Sequence, residues 1–103
     1  MSTRACIEFI GKYGDKFHIY RHCDGFPDNI LPDIKETVDK CINRWSGSEM
    51  GQLVSIFLGE NYSQTTRIQH YELCHGPAGD ESYLYYVRYI GGKQKYEYGV
   101  KNK

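Results

Sequence analysis

Residues able to do metal or acid–base chemistry gather at two places in this chain: His22, Cys23 and Asp24 in one run, and Cys74 with His75 in another. Imidazole, thiolate and carboxylate are zinc ligands, and a zinc ion that keeps one position open to water supports metal-assisted hydrolysis. A small metal-dependent hydrolase would draw on His22, Asp24, Cys74 and His75, provided the strand ending at Cys74 returns to the edge where His22 stands. The spacing favours another reading. Neighbours on a strand point to opposite faces, so adjacent pairs do not converge on one ion as ligands two to four residues apart do. Asp24 then makes a turn, His22 meets that turn's backbone or lies on a wet face, Cys74 packs, and no cofactor is expected.

Nucleophilic chemistry finds less support. In Gly47-Ser48-Glu49-Met50-Gly51 the serine is one place too early for a nucleophile elbow. Ser46 to Glu49 reads instead as a capping box ahead of an apolar helical run. A Cys23 thiolate assisted by His22 or His75 lacks an orienting residue at a recognisable position. The glycines at 11 and 14 and at 91 and 92 fall in hairpins, not before helices, so no phosphate-cradling loop is present.

The elements that position these residues follow from periodicity. Ala5 to Ile10 and Lys16 to His22 alternate as strands, and a hairpin with Ile7, Phe9, Phe17 and Ile19 inward leaves Glu8, His18, Tyr20 and His22 outward. Asp24-Gly25 is a turn dipeptide in which glycine is expected to supply a positive φ, and Pro27 stops the strand. Asp28 or Asn29 is expected to cap a helix whose stripe is Ile30, Ile34, Val38, Cys41, Ile42 and Trp45, with Pro32 in its first turn. Met50, Leu53, Val54, Phe57 and Leu58 repeat that spacing before Gly59. A strand is expected from Thr66 to Cys74, a flexible link from Gly76 to Asp80, and the clearest strand from Tyr83 to Ile90, turned by Gly91-Gly92 into Lys95 to Val100. The order β-β-α-α-β-β-β implies a single α+β domain over residues 1–103, a two-layer sandwich with two helices on one face of an antiparallel sheet of about five strands.

Ten tyrosines, seven of them after residue 70, give that sheet an aromatic character. If helices cover one face, the other collects His18, Tyr20 and His22 from the hairpin, and either Tyr83, Tyr85 and Tyr89 or Tyr86 and Arg88 from the later strand. Rigid aromatic side chains with polar tips are enriched at interfaces. The expected binding set is His18, Tyr20, His22, Asp24, Phe26, Tyr83, Tyr85 and Tyr89. Such a face could also stack single-stranded bases, with Arg67, Arg88, Lys93, Lys95, Lys101 and Lys103 supplying charge. Thirteen basic residues balance thirteen acidic ones, so no net field draws the chain to nucleic acid or to an anionic membrane.

The run Tyr20-Arg21-His22-Cys23-Asp24-Gly25-Phe26-Pro27, followed by Ile30-Leu31-Pro32, resembles the Y-x-H-x-D-G-[YF]-P element of small uncharacterised proteins of bacteria, archaea and their phages. The resemblance covers about a dozen residues. It implies no established activity, but it makes plausible a phage or mobile-element origin, in which a small protein acts by binding a host protein such as a defence effector. No apolar signal core or span of roughly 20 apolar residues is seen, and the four cysteines lack paired spacing, so a cytoplasmic protein with reduced thiols is expected. Together these readings point to a non-enzymatic module that binds a protein, a second copy of itself being one form of that partner, with nucleic acid as a less favoured partner and no membrane.

Overall fold

In the computed structural model, which describes residues 3–42, 50–63, 65, 68–92 and 95–101, strands β1 (Ala5–Ile10) and β2 (Lys16–Arg21) pair antiparallel. Ile7 stands opposite Ile19 and Phe9 opposite Phe17, the inward set expected from alternation. Helix α1 (Pro27–Ile42) and helix α2 (Met50–Glu60) follow. A short hairpin, β3 (Tyr62–Ser63) with β4 (Ile68–Gln69), leads to β5 (Glu72–Cys74), and β6 (Tyr83–Gly91) and β7 (Lys95–Lys101) end the chain.

The five-stranded sheet has the order β5-β2-β1-β6-β7. Three of its pairings are antiparallel, while β1 and β6 run parallel at its centre, so the sheet is mixed. The fold is otherwise the α+β sandwich expected. Ala5, Ile7, Phe9, Ile19, Tyr85, Val87 and Tyr96 from the sheet form one core with Ile30, Ile34, Val38 and Cys41 of α1 and Met50, Leu53, Val54 and Phe57 of α2. Helix α1 lies against β7 and α2 against β1. Phe57 is the hinge of this packing: its ring meets Phe9 at 5.6 Å and Tyr71 at 4.7 Å, both edge-on, contacts of about 0.5–1.5 kcal/mol each beyond simple burial.

Several local expectations change. Helix α1 starts at Pro27, the position where a missing N–H costs nothing. Pro32 therefore lies in the second turn, not the first, and cannot donate to the carbonyl of Asp28. Asn29 does not cap the helix with its side chain; its Nδ2 donates back to the Asp24 carbonyl at 3.0 Å, and the Asn29 and Ile30 amides bond the Phe26 carbonyl. The single strand expected from Thr66 to Cys74 is replaced by β4 and β5, consistent with its irregular alternation. Gly91 pairs with Lys95 after a register shift at Tyr89, so the β6–β7 connection is longer than the two-residue turn expected. Trp45 and the Ser46 to Glu49 capping box lie outside the described residues, as do Arg67, Lys93 and Lys103. No helix among the described residues is long and apolar enough to cross a membrane.

Candidate binding surface on the open sheet face

The register decides which side chains escape the helices. Glu8 pairs with His18 and with Tyr86, His18 with Cys74, Tyr20 with Cys6 and Glu72, and Arg88 with Glu97. Paired residues share a face, so the sheet side away from the helices carries Cys6, Glu8, His18, Tyr20, Glu72, Cys74, Tyr86, Arg88, Glu97 and Lys101. His18 and Tyr20 are where alternation puts them. Tyr83, Tyr85 and Tyr89 are not: the parallel β1–β6 register sets Tyr85 opposite Ile7, on the helix side, where it is fully buried. Tyr83 stacks beside Tyr85 at 6.2 Å, and Tyr89 packs edge-on to Tyr96 at 5.8 Å. Tyr86 and Arg88 take the place expected for those three.

An irregular strap crosses this open face. Strands β5 and β6 run in the same direction, so residues 75–82 must return across β2 and β1 to begin β6. The buried Glu81 carboxylate holds the strap's bend, accepting from the Ala78 amide at 2.7 Å and the Gly79 amide at 2.9 Å. Gly79 has a φ of 99°, which favours glycine. An Arg4–Asp80 ion pair and a 3.0 Å bond from the Ser82 amide to the Arg4 carbonyl anchor its far end. Pro77 is thereby brought beside Cys6, Glu8, Leu84 and Lys101.

Two depressions flank the strap, one at the β2–β5 end of the sheet and one on the open face over β1, β6 and β7. One, about 370 Å³, is lined by Lys16, Phe17, His18, Leu73, Cys74 and His75. The other, about 250 Å³, is lined by Glu8, Ile10, Tyr86, Arg88, Glu97 and Lys101. Between them Glu8 accepts from or shares a proton with His18 Nε2 at 3.1 Å and meets Lys101 Nζ at 3.5 Å. Burial would raise the Glu8 pKa, but the His18 bond and the Lys101 and Lys16 charges outweigh it and hold the carboxyl below its usual range. Arg88 is ion-paired with Glu97. Tyr86 lies across Gly99, where an added Cβ would meet its ring at 3.3 Å.

Glu8, His18 and Cys74 stand in a row across three strands, as carboxylate, imidazole and thiol do in acyl-transfer enzymes. The thiol chemistry here runs the opposite way. The Cys74 thiol is hydrogen-bonded to Cys6, and burial raises its pKa; burial beside Cys74, Glu81 and Glu8 pushes Cys6 up to about 12. Both are held as thiols, whereas a nucleophile needs the thiolate. Nor do His22 and Asp24 meet Cys74 and His75. Cys74 pairs with His18, four residues before His22, which places the two groups roughly 13 Å apart along the strand. Among the described residues no group of three potential ligands could hold a metal ion.

At the other end of β2 the turn is built by backbone bonds. Asp24, not Gly25, takes the left-handed conformation, with a φ of 57°. Gly25 is needed for space instead: a Cβ there would lie 2.7 Å from the Ala5 Cβ and 2.9 Å from the Thr3 carbonyl. The Gly25 amide bonds that Thr3 carbonyl at 2.8 Å, its own carbonyl accepts from the Tyr85 hydroxyl at 2.6 Å, and Arg21 Nε donates to the Cys23 carbonyl at 2.7 Å. His22 is exposed, with Nδ1 3.0 Å from the Tyr20 hydroxyl, and Phe26 stands half-open beside Tyr83.

Comparison with protein-family models, curated proteins and solved structures returns no match. The surface must be judged on its own chemistry.

Sequence reasoning missed one polar cluster. Tyr71 is buried, donates to Asp33 Oδ2 at 2.6 Å and accepts from Arg21 at 3.0 Å, tying α1 to β2 and to the segment before β5. The signal was an arginine at position 21 in phase with Phe17 and Ile19, on the apolar face of its strand.

Proposed function

We propose that this chain is a binding module that engages a protein partner through the open sheet face, chiefly Tyr86, Arg88, Glu97, Lys101, His18 and Tyr20, flanked by His22 and Asp24 at the turn. The observation that carries the reading is the grouping of Tyr86, Arg88, Glu97 and Lys101 around an open depression on a sheet face that, among the described residues, no helix covers. Interfaces are built of such anchors with a polar rim. A protein is favoured over nucleic acid because two cations of this face, Arg88 and Lys101, are each committed to a carboxylate, Glu97 and Glu8, and so offer phosphates little uncompensated positive charge. The likeness of the Tyr20 to Pro27 element to one in small proteins of bacteria, archaea and their phages suggests a host protein, such as a defence effector, as the target.

Affinity capture on the tagged chain, with and without nuclease, tests this. A stoichiometric protein that survives nuclease and is lost with Tyr86→Ala and Arg88→Ala, in variants of unchanged thermal stability, is the expected result. A catch that disappears with nuclease, or that both variants retain, overturns it.

A further inference from the structure

Strand β7 closes one side of the sheet: β6 pairs with one of its edges, and among the described residues no strand pairs with the other. It is seven residues long and contains no proline. A strand edge that no neighbouring strand pairs is a template for another strand. We propose that its occupant is a second copy of this chain, joined by antiparallel β7–β7 pairing about a two-fold axis at Gly99.

Among the described residues of β7, register and charge select that axis. A two-fold axis perpendicular to the sheet sets residues of one face opposite each other, so each possible centre gives a definite set of pairs. Centring on Glu97 places it against the partner's Glu97, and centring on Tyr98 places Lys95 against the partner's Lys101; like charges directly opposed are unfavourable. Centring on Tyr96 matches charges but leans on Lys95, whose φ of 58° ends regular strand geometry. Within residues 95–101, centring on Val100 pairs Lys101 with the partner's Gly99 and matches no charge.

With the axis at Gly99, Glu97 faces the partner's Lys101, and Lys101 faces the partner's Glu97, on the open side of the sheet. On the helix side Tyr98 faces the partner's Val100, covering a valine that is 44% exposed in the single chain. The new pairs also extend what each chain already has. Lys101 contacts Glu8 and Glu97 holds Arg88, so the interface would read Glu8, Lys101, the partner's Glu97, the partner's Arg88, with signs alternating throughout. Five strands from each copy would then form one continuous sheet.

Sedimentation velocity over a wide concentration range tests the proposal through charge reversal. The native chain should dimerise as concentration rises. Glu97→Lys alone opposes two lysines at each pair and Lys101→Glu alone opposes two glutamates, so each should weaken the dimer by about tenfold or more. An equimolar mixture of the two variants should restore association as a heterodimer, because each pair is again one lysine and one glutamate. Hydrogen exchange of the native chain gives a reading that needs no variant: β7 amides should gain protection as concentration rises. A native chain that stays monomeric to millimolar concentration, variants whose mixture does not associate, or β7 protection independent of concentration would each overturn the proposal.

Discussion

The Tyr85 hydroxyl, from near the start of β6, donates a 2.6 Å hydrogen bond to the carbonyl of Gly25 in the turn that follows β2. A residue expected on the exposed sheet face is thus an internal strut of the turn after β2. Tyr85→Phe should leave the Gly25 carbonyl without that donor in a buried site and cost about 1–3 kcal/mol in urea denaturation. Gly25→Ala should cost a similar or larger amount, because its Cβ would press on Ala5 and on the Thr3 carbonyl that its own amide must reach. A Gly25→Ala chain as stable as the native one would show that the turn is free to move.

Alkaline pH should unfold the protein earlier than its composition implies. Burial raises the pKa of Tyr71, with the neighbouring Asp33 adding to it; burial also raises that of Tyr85, and it pushes Cys6 from 9.0 to about 12. In the unfolded chain these groups titrate at their ordinary values, so above pH 9 for Cys6 and above pH 10 for the tyrosines the native state holds more protons than the unfolded state. Stability is therefore complete below those values and falls as pH rises, by about 1.4 kcal/mol per pH unit for each group engaged. Chemical denaturation between pH 8 and about pH 11 checks this, and Tyr85→Phe should flatten the slope by roughly one group's share.

What the sequence made legible was local. Alternation in β1 and β2 gave the correct inward set, because a hairpin fixes its register within a dozen residues, and the stripe from Ile30 to Cys41 gave α1. The face taken by Tyr83, Tyr85 and Tyr89 was not legible, because β6 is tyrosine on both faces and its side is chosen by a parallel pairing with β1 some 78 residues earlier in the chain. The same holds for Tyr71, Arg21 and Asp33, which meet only after α1 has packed. The role of Gly25 was misjudged for a related reason: its need is for closeness to Thr3 and Ala5, a contact across the chain, rather than for its own φ.

On the open face, His18 should report on Glu8. The Glu8 carboxyl titrates below its ordinary 4.5 despite the opposing effect of burial, with the His18 bond the strongest of the effects that lower it. A depressed folded-state value means that this carboxylate contributes stability above the ordinary pKa and loses it as pH falls through the depressed one. Carbon-detected NMR titration of the glutamate carboxyls should show the Glu8 midpoint moving upward in His18→Ala and in Lys101→Ala. An unmoved midpoint in both would mean that the row of charges on this face does not couple.

Thiol reactivity separates the binding reading from a nucleophilic one. Cys23 is exposed, Cys74 half-buried, and Cys6 and Cys41 are buried. Because the thiolate is the reacting form, a raised pKa slows attack at neutral pH in addition to any steric shielding. An aromatic disulfide reagent should therefore modify Cys23 first and Cys74 slowly, reaching Cys6 and Cys41 only in denaturant. In Cys23→Ser the fast phase should vanish. A fast phase that survives in Cys23→Ser and is lost in Cys74→Ser would show that Cys74 ionises readily beside His18. That result would turn the Glu8, His18 and Cys74 row into a nucleophilic site, and it would overturn the assignment of this face to binding alone.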